Sequence, residues 1–206
     1  MKSGTRALGV AVSSSDRTTT ASDRATVAGA VVRVDRVVDG ASFATCTVGG
    51  TDATDAVIAC VERLDREDVR YLLLAGVAPA WFNVVDLNAV HTATDRPVLA
   101  VSFEASEGLE PHIREHFEGE ARERRLATYE SLPERVAIHL GDDADATPGL
   151  WVRAVGVDDA TARRVVRAHL PDGQGRPEPL RVARMLARAG RGYADRERAA
   201  RRDRDG

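Results

Sequence analysis

The chain has 206 residues, enough for one domain, and 43% of them are hydrophobic, which is ample for a buried core. A formal net charge of −3 excludes a strongly basic footprint spread over the whole surface, and no apolar run approaches the length of a membrane span or the core of a signal peptide. Cys46 and Cys60 are too few and too far apart for a zinc module, so they read as buried thiols of a reducing, cytoplasmic protein. One lysine, Lys2, among 29 basic residues leaves 28 arginines, a bias that a GC-rich genome explains.

In chain order, residues 6–12 (RALGVAV) read as a first strand, ended by a polar loop over 13–24. Residues 26–34 read as a second strand and 37–48 as a third, with Asp39-Gly40 as a turn or bulge near its start. The short connections make these three antiparallel neighbours. Thr51 or Asp52 then caps a helix whose apolar positions 53, 57, 60, 61 and 64 recur at helical spacing. The continuous apolar run 71–74 suits a strand covered on both faces. Ala75-Gly76 ends it, and Pro79 to Asn83 then sets Trp81 and Phe82 in a tight loop. That loop lies at the carboxyl end of the strand, where open α/β sheets bind ligands. A helix from Val84 leads to another buried parallel strand over 97–103.

Three strands, helix, strand, helix, strand is the order of the ribonuclease H-like fold, a mixed five-stranded sheet with helices on both faces. Residues 108–132 read as a charged helical region, 142–149 as a loop and 150–155 as one more strand. A helix follows from Asp158 to about Leu170, with Asp158 or Asp159 at its positive end. The last helix spans 179–189, with Leu180, Ala183, Leu186 and Ala187 facing inward and Gly190 just past its end. The domain is therefore 1–190. The segment 191–206 mixes charges with almost no apolar residues and is expected to be a disordered tail.

Several strings in this order carry a family resemblance: Val38-Asp39-Gly40, GGTDATDAV (49–57), LLLAGVAPAWFNVVDL (72–87), RPVLAVS (96–102) and RPEPLRVARMLA (176–187). Together they resemble an archaeal family, domain of unknown function 99, that is similar to endonuclease V, and the resemblance covers residues 6–189. It implies an endonuclease V-like fold and a DNA or RNA partner. It also implies carboxylates in the first and fourth strands that hold Mg²⁺ or Mn²⁺ beside the scissile phosphate. Those two positions fall on Ala11 and Ala75, the lysine of the following strand falls near Phe103, and a late histidine falls near Val157. The leading expectation is thus a nucleic-acid-binding protein or diverged enzyme with no resident cofactor and without the usual two-metal centre.

Two alternatives keep a reaction. Asp16, Asp52 and Asp86 are carboxylates near the expected site and would serve as relocated ligands of an active Mg²⁺ or Mn²⁺ nuclease, although Asp52 and Asp86 also suit helix N-termini. Asn83 and Asp86, three residues apart, have the spacing of a local capping interaction. His112, Glu115 and His116 match the H-x-x-E-H pattern of a zinc hydrolase, or form an ordinary solvated helix face. Trp81, Phe82 and Asn83 are candidates for nucleobase contact, since aromatic platforms stack bases, while the same rings also suit the end of a core. Glu178 and Arg181 would tie the start of the last helix, where Pro179 suits the first turn, to the rest of the domain, with phosphate contact by Arg181 as the alternative.

Overall fold

The computed structural model describes residues 1–14, 24–105, 108–140, 149–171 and 175–205. Strands β1 (Arg6–Ser13), β2 (Arg24–Arg33) and β3 (Val38–Thr47) form an antiparallel meander. The expected irregularity near Asp39-Gly40 is a shift of register between Val31 and Val32 on the facing strand. Helix α1 (Ala53–Glu62) returns the chain to β4 (Val69–Ala75), and helix α3 (Leu87–Thr94), preceded by the single turn α2 (Pro79–Phe82), returns it to β5 (Val98–Ser102). Then come α4 (Glu110–His116), α5 (Gly119–Glu130), β6 (Val136–Ile138), β7 (Leu150–Val155), α6 (Asp159–Ala168) and α7 (Glu178–Asp205).

The strands of the described residues all belong to one mixed sheet of order β3-β2-β1-β4-β5-β7-β6. Strands β1, β4 and β5 are parallel, so their carboxyl ends, Ser13, Ala75 and Ser102, share one edge. The α/β class, the mixed sheet and the helices on both faces are as the element order predicts. Among the described residues the sheet has seven strands instead of five, because β7 adds antiparallel to β5, and the three-residue β6, too short to show alternation, adds to β7.

Alternation along β1 and β4 separates the two cores. Leu8, Val10, Leu72 and Leu74 face α1 and α3 with Val57, Cys60, Leu87 and Val90. Ala7, Tyr71 and Leu73 face α6 with Val165 and Val166, and the start of α7 with Leu180. Further along α7, Val182 and Ala183 pack on Ala11, Ala30 and Val32. Small residues on this face let α7 lie close to the sheet.

Three boundaries differ from expectation. The region 108–132 breaks into two helices at Phe117, whose extended backbone separates α4 from α5. Helix α3 starts at Leu87, not Val84. The last helix does not stop at Ala189: α7 continues through Gly190 to Asp205, so the segment expected to be a disordered tail is helical over its described residues. Gly190 has a different job from a C-cap. A Cβ there would lie 3.0 Å from Phe43 Cε1 and 3.3 Å from Thr26 Cγ2, so the glycine permits close approach of α7 to β2 and β3. Among the described residues, no helix is long and apolar enough to cross a membrane.

Candidate functional site

The carboxyl edge of β1, β4 and β5 opens into a cleft of about 890 Å³. Its floor includes Ala11, Ala75, Val101 and Phe103, and the turn Pro79-Ala80 forms part of its rim. The expected positions 11, 75 and 103 therefore meet in one place. At 11 and 75 the methyl groups pack in a cluster with Val182, Ala183 and Leu186 of α7. Val157 is elsewhere. It lines a depression with Val69, Arg70 and Pro97 at the amino ends of β4 and β5, because β7 runs antiparallel to β5 and delivers its own end to the opposite edge.

The walls of the cleft are cationic. Arg135, Arg153, Arg176, Arg184, Arg188 and Arg191 line it, with Glu104 as the carboxylate among its described lining residues. Arg135 donates to Ser102 Oγ at 3.2 Å and to the Glu104 carbonyl at 2.9 Å, and it lies 5.1 Å from the Trp151 ring centre. Arg153 donates to the Pro133 carbonyl and, at 3.2 Å, to the Tyr129 hydroxyl. On the other wall, Arg176 lies 3.7 Å over the Phe103 ring. Burial, and then the charges of Arg184 and Arg188, push the Arg176 guanidinium below its ordinary value. Burial and then Arg153 do the same to Arg135. Guanidinium groups stay charged under such shifts, so these are like charges held together. Crowding of this kind is a mark of functional sites.

None of these arginines stood out in the sequence among 28. The available signal was the spacing of Arg184, Arg188 and Arg191, which places them on one face of a helix.

Beside the cleft, Ala80, Trp81 and Phe82 all adopt left-handed backbone angles, with φ of 48°, 61° and 55°. Trp81 is 49% exposed, and its ring centre lies 5.1 Å from that of His116 and 5.4 Å from that of Phe82. Arg125, only 4% exposed, pins this segment by donating to the carbonyls of Phe82, Gly49, Gly50 and Ala121 while lying 3.9 Å from the centre of the Phe117 ring.

Asn83 is fully buried. Its Oδ1 accepts from the Ala53 amide at 2.9 Å, and its Nδ2 donates to the Thr47 carbonyl at 2.9 Å and to Asp52 Oδ1 at 2.8 Å. Asn83 thus caps α1 from thirty residues away. Asp52, which occupies the N-cap position, instead accepts from the Thr47 amide at 2.9 Å and the Thr47 hydroxyl at 2.9 Å, with Arg24 at 3.2 Å. Asp86 caps α3 through the amides of Asn88 and Ala89 and makes no bond with Asn83. Asp16 lies outside the described residues.

His112 and His116 lie 3.8 Å and 4.0 Å from Glu115 Oε2 on the exposed face of α4. Among the described residues, no group of three or more His, Cys, Asp or Glu side chains is placed to hold a metal ion. Arg181 makes a bidentate pair with Glu178 at 2.7 Å and 2.5 Å, away from the residues that line the cleft. The Arg181 hydrogen bonds hold the Glu178 carboxyl below its usual range.

The geometry at Asp52 gives a pH signature. Burial raises its pKa, but hydrogen bonds from the Thr47 amide, Asn83 and the Thr47 hydroxyl outweigh it, and the net shift is downward. A carboxyl lowered in the folded state contributes stability that is fully present above the unfolded aspartate value of about 3.9 and is lost as pH falls through the folded value. Asp52→Asn should therefore lower stability near neutral pH and flatten the acid limb of a stability–pH curve. An unchanged acid limb in urea titrations would show that the carboxylate is not linked to folding.

Comparison with known proteins agrees with this architecture. Residues 3–190 match the family described as endonuclease dU. A UPF0215 protein of Thermococcus kodakarensis is 36% identical over 145 residues, covering 69% of each chain. The crystal structure of a protein of unknown function from Archaeoglobus fulgidus superposes with a TM-score of 0.74 at 28% identity, over 89% of this chain and 96% of that one. Endonuclease V of Ciona intestinalis, solved with a 24mer DNA containing an inosine, superposes with a TM-score of 0.58 at 12% identity, over 93% of this chain and 87% of that one, a likeness of fold. By the extent of the family match, the chain belongs to the endonuclease dU family, built on an endonuclease V-like fold.

Proposed function

We propose that the protein binds DNA or RNA in the arginine-lined cleft and does not cut it by the two-metal route of the endonuclease V fold. The observation that carries this reading is the lining itself: six guanidinium groups stand around Ala11 and Ala75. Hard divalent cations need oxygen ligands. Methyl groups packed against α7, with one described carboxylate among six positive charges, do not fit a pair of such ions, and no step is derived through them. The same lining suits phosphate, which arginine binds bidentately. The exposed Trp81, which follows the rim turn Pro79-Ala80, offers a ring for a base. Support also comes from the family description, which names an endonuclease, and from the DNA held by the Ciona neighbour. The family name favours, as the competing reading, a metal-dependent nuclease using Asp16, Asp52 and Asp86.

One experiment separates the two. Fluorescence anisotropy with single-stranded and duplex oligonucleotides, with and without deoxyuridine, should detect binding without added metal. If four to six phosphates are neutralised on a single strand, affinity should fall on the order of 10²-fold between about 50 mM and about 200 mM salt. Incubation with Mg²⁺ or Mn²⁺ should leave the oligonucleotides intact. Metal-dependent cutting that disappears in folded Asp52→Ala or Asp86→Ala would overturn the proposal in favour of the nuclease, and the absence of any salt-sensitive binding would remove the nucleic-acid reading altogether.

A further inference from the structure

The cleft has two arginine groups of different character. Arg135 and Arg153 are engaged by Ser102, Tyr129 and backbone carbonyls. Arg176, Arg184 and Arg188 line the same cleft as like charges and make no hydrogen bond or ion pair with any described residue; Arg176 lies over the face of Phe103. Arg184 and Arg188 are exposed and one helical turn apart, and Arg176 lines the same cleft from the segment before the helix. Next to them, Arg191 donates to the Ser14 carbonyl and so joins α7 to the chain leaving β1, while its Nε is buried without an acceptor. Three guanidinium groups without a carboxylate partner among the described residues thus stand beside this junction, in a cleft whose one described carboxylate is Glu104.

We infer that this group receives the terminal phosphomonoester of a nucleic-acid strand, with Arg135 and Arg153 taking phosphates further along it. The inference rests on the nucleic-acid reading above and narrows it to strand ends. A phosphodiester in mid-strand offers a single negative charge and two free oxygens. A terminal monoester carries about −1.5 to −2 charges near neutral pH and three strong acceptor oxygens. Three unpaired guanidinium groups match the second in both charge and number of acceptors, and the extra charge relieves the repulsion among them.

The test uses one internally labelled oligonucleotide sequence in three forms: 5′-phosphorylated, 3′-phosphorylated, and hydroxyl-ended at both termini. One phosphorylated form should bind about tenfold more tightly than the hydroxyl-ended form, and which one identifies the end that is read. Arg184→Gln combined with Arg188→Gln should abolish that preference, since both residues are exposed and glutamine keeps the helix. Arg164→Gln, on the exposed side of α6, removes a positive charge elsewhere and should leave the preference intact. Equal affinity for all three forms, with salt-sensitive binding retained, would overturn this inference alone. A preference that survives the double substitution would also overturn it. Failure of every form to bind would overturn it together with the nucleic-acid reading.

Discussion

Gly9→Ala should lower the unfolding free energy by on the order of 4 kcal/mol or more, enough to prevent accumulation of folded protein. Gly9 lies in the middle of β1, where residue propensity alone would favour alanine. Yet a Cβ at this position would fall 2.2 Å from the carbonyl carbon and oxygen of Pro179 and 2.7 Å from its Cβ. Those atoms form the first turn of α7, and they are fixed. The amides of Leu180 and Arg181 donate to the Pro177 carbonyl at 3.0 Å, and the Glu178 amide donates to the His169 carbonyl at 2.7 Å. The proline ring removes the remaining freedom in φ. Relief therefore requires lifting α7 from the sheet, which would expose Leu180, Val182 and Ala183, all now buried. Removing a glycine also restricts the unfolded chain, but that gain of about 0.4–1 kcal/mol is too small to compensate. Gly4→Ala is the matched control: nothing lies within 4 Å of its added Cβ, and stability should stay within about 0.5 kcal/mol of the parent. Urea unfolding of the two variants measures the difference. A folded Gly9→Ala protein within about 1 kcal/mol of the parent would show that α7 is not held at this contact.

That contact also shows where sequence reasoning reaches its limit. The strands at 71–74 and 97–103, the meander, the first helix and the family strings were all legible because period, length and spacing are local properties. So was the absence of carboxylates at 11 and 75, which the family pattern makes visible as a departure. What replaced them was not legible. Ala11 meets Val182 and Ala183 across more than 170 positions, and Arg135 and Arg176 reach one cleft from different elements. Genomic bias in favour of arginine hides such convergence, because composition cannot tell a scattered excess from a site. Gly190 illustrates the opposite error. Glycine near a predicted helix end suggests a stop, whereas here it makes room for Phe43. Asn83, expected to serve a local or ligand role, spends its amide on Ala53, Thr47 and Asp52, so its partners are tertiary and lie outside any local window.

Arg125→Met should cost about 3–5 kcal/mol, because several backbone carbonyls lose their donor at once at about 1–3 kcal/mol each, less what the chain recovers by relaxing. Methionine fills much of the same space, so the loss would be polar in origin. Arg125 supplies donors to the carbonyls of Phe82, Gly49, Gly50 and Ala121 at a site where water has little access, and each orphaned acceptor costs about 1–3 kcal/mol before the chain relaxes. Relaxation has an obvious route. Three consecutive left-handed residues, Ala80, Trp81 and Phe82, each carry roughly 1–2 kcal/mol of strain, comparable in sum with what Arg125 contributes. Once the clamp is gone, the turn should open and the strain be released. The Gly49 amide, bonded to the Ala80 carbonyl at 2.8 Å, and the Val85 amide, bonded to the Val77 carbonyl at 2.8 Å, report on that opening. Hydrogen exchange should show both losing protection while the amides of β1 and β4 keep theirs, with a melting temperature lower by roughly 10 °C. Arg125→Lys preserves the charge but cannot span several carbonyls, so it should fall between the two. If Arg125→Met melts like the parent and Gly49 stays protected, the left-handed turn is held by its own chain, and the rim of the cleft is rigid without the clamp.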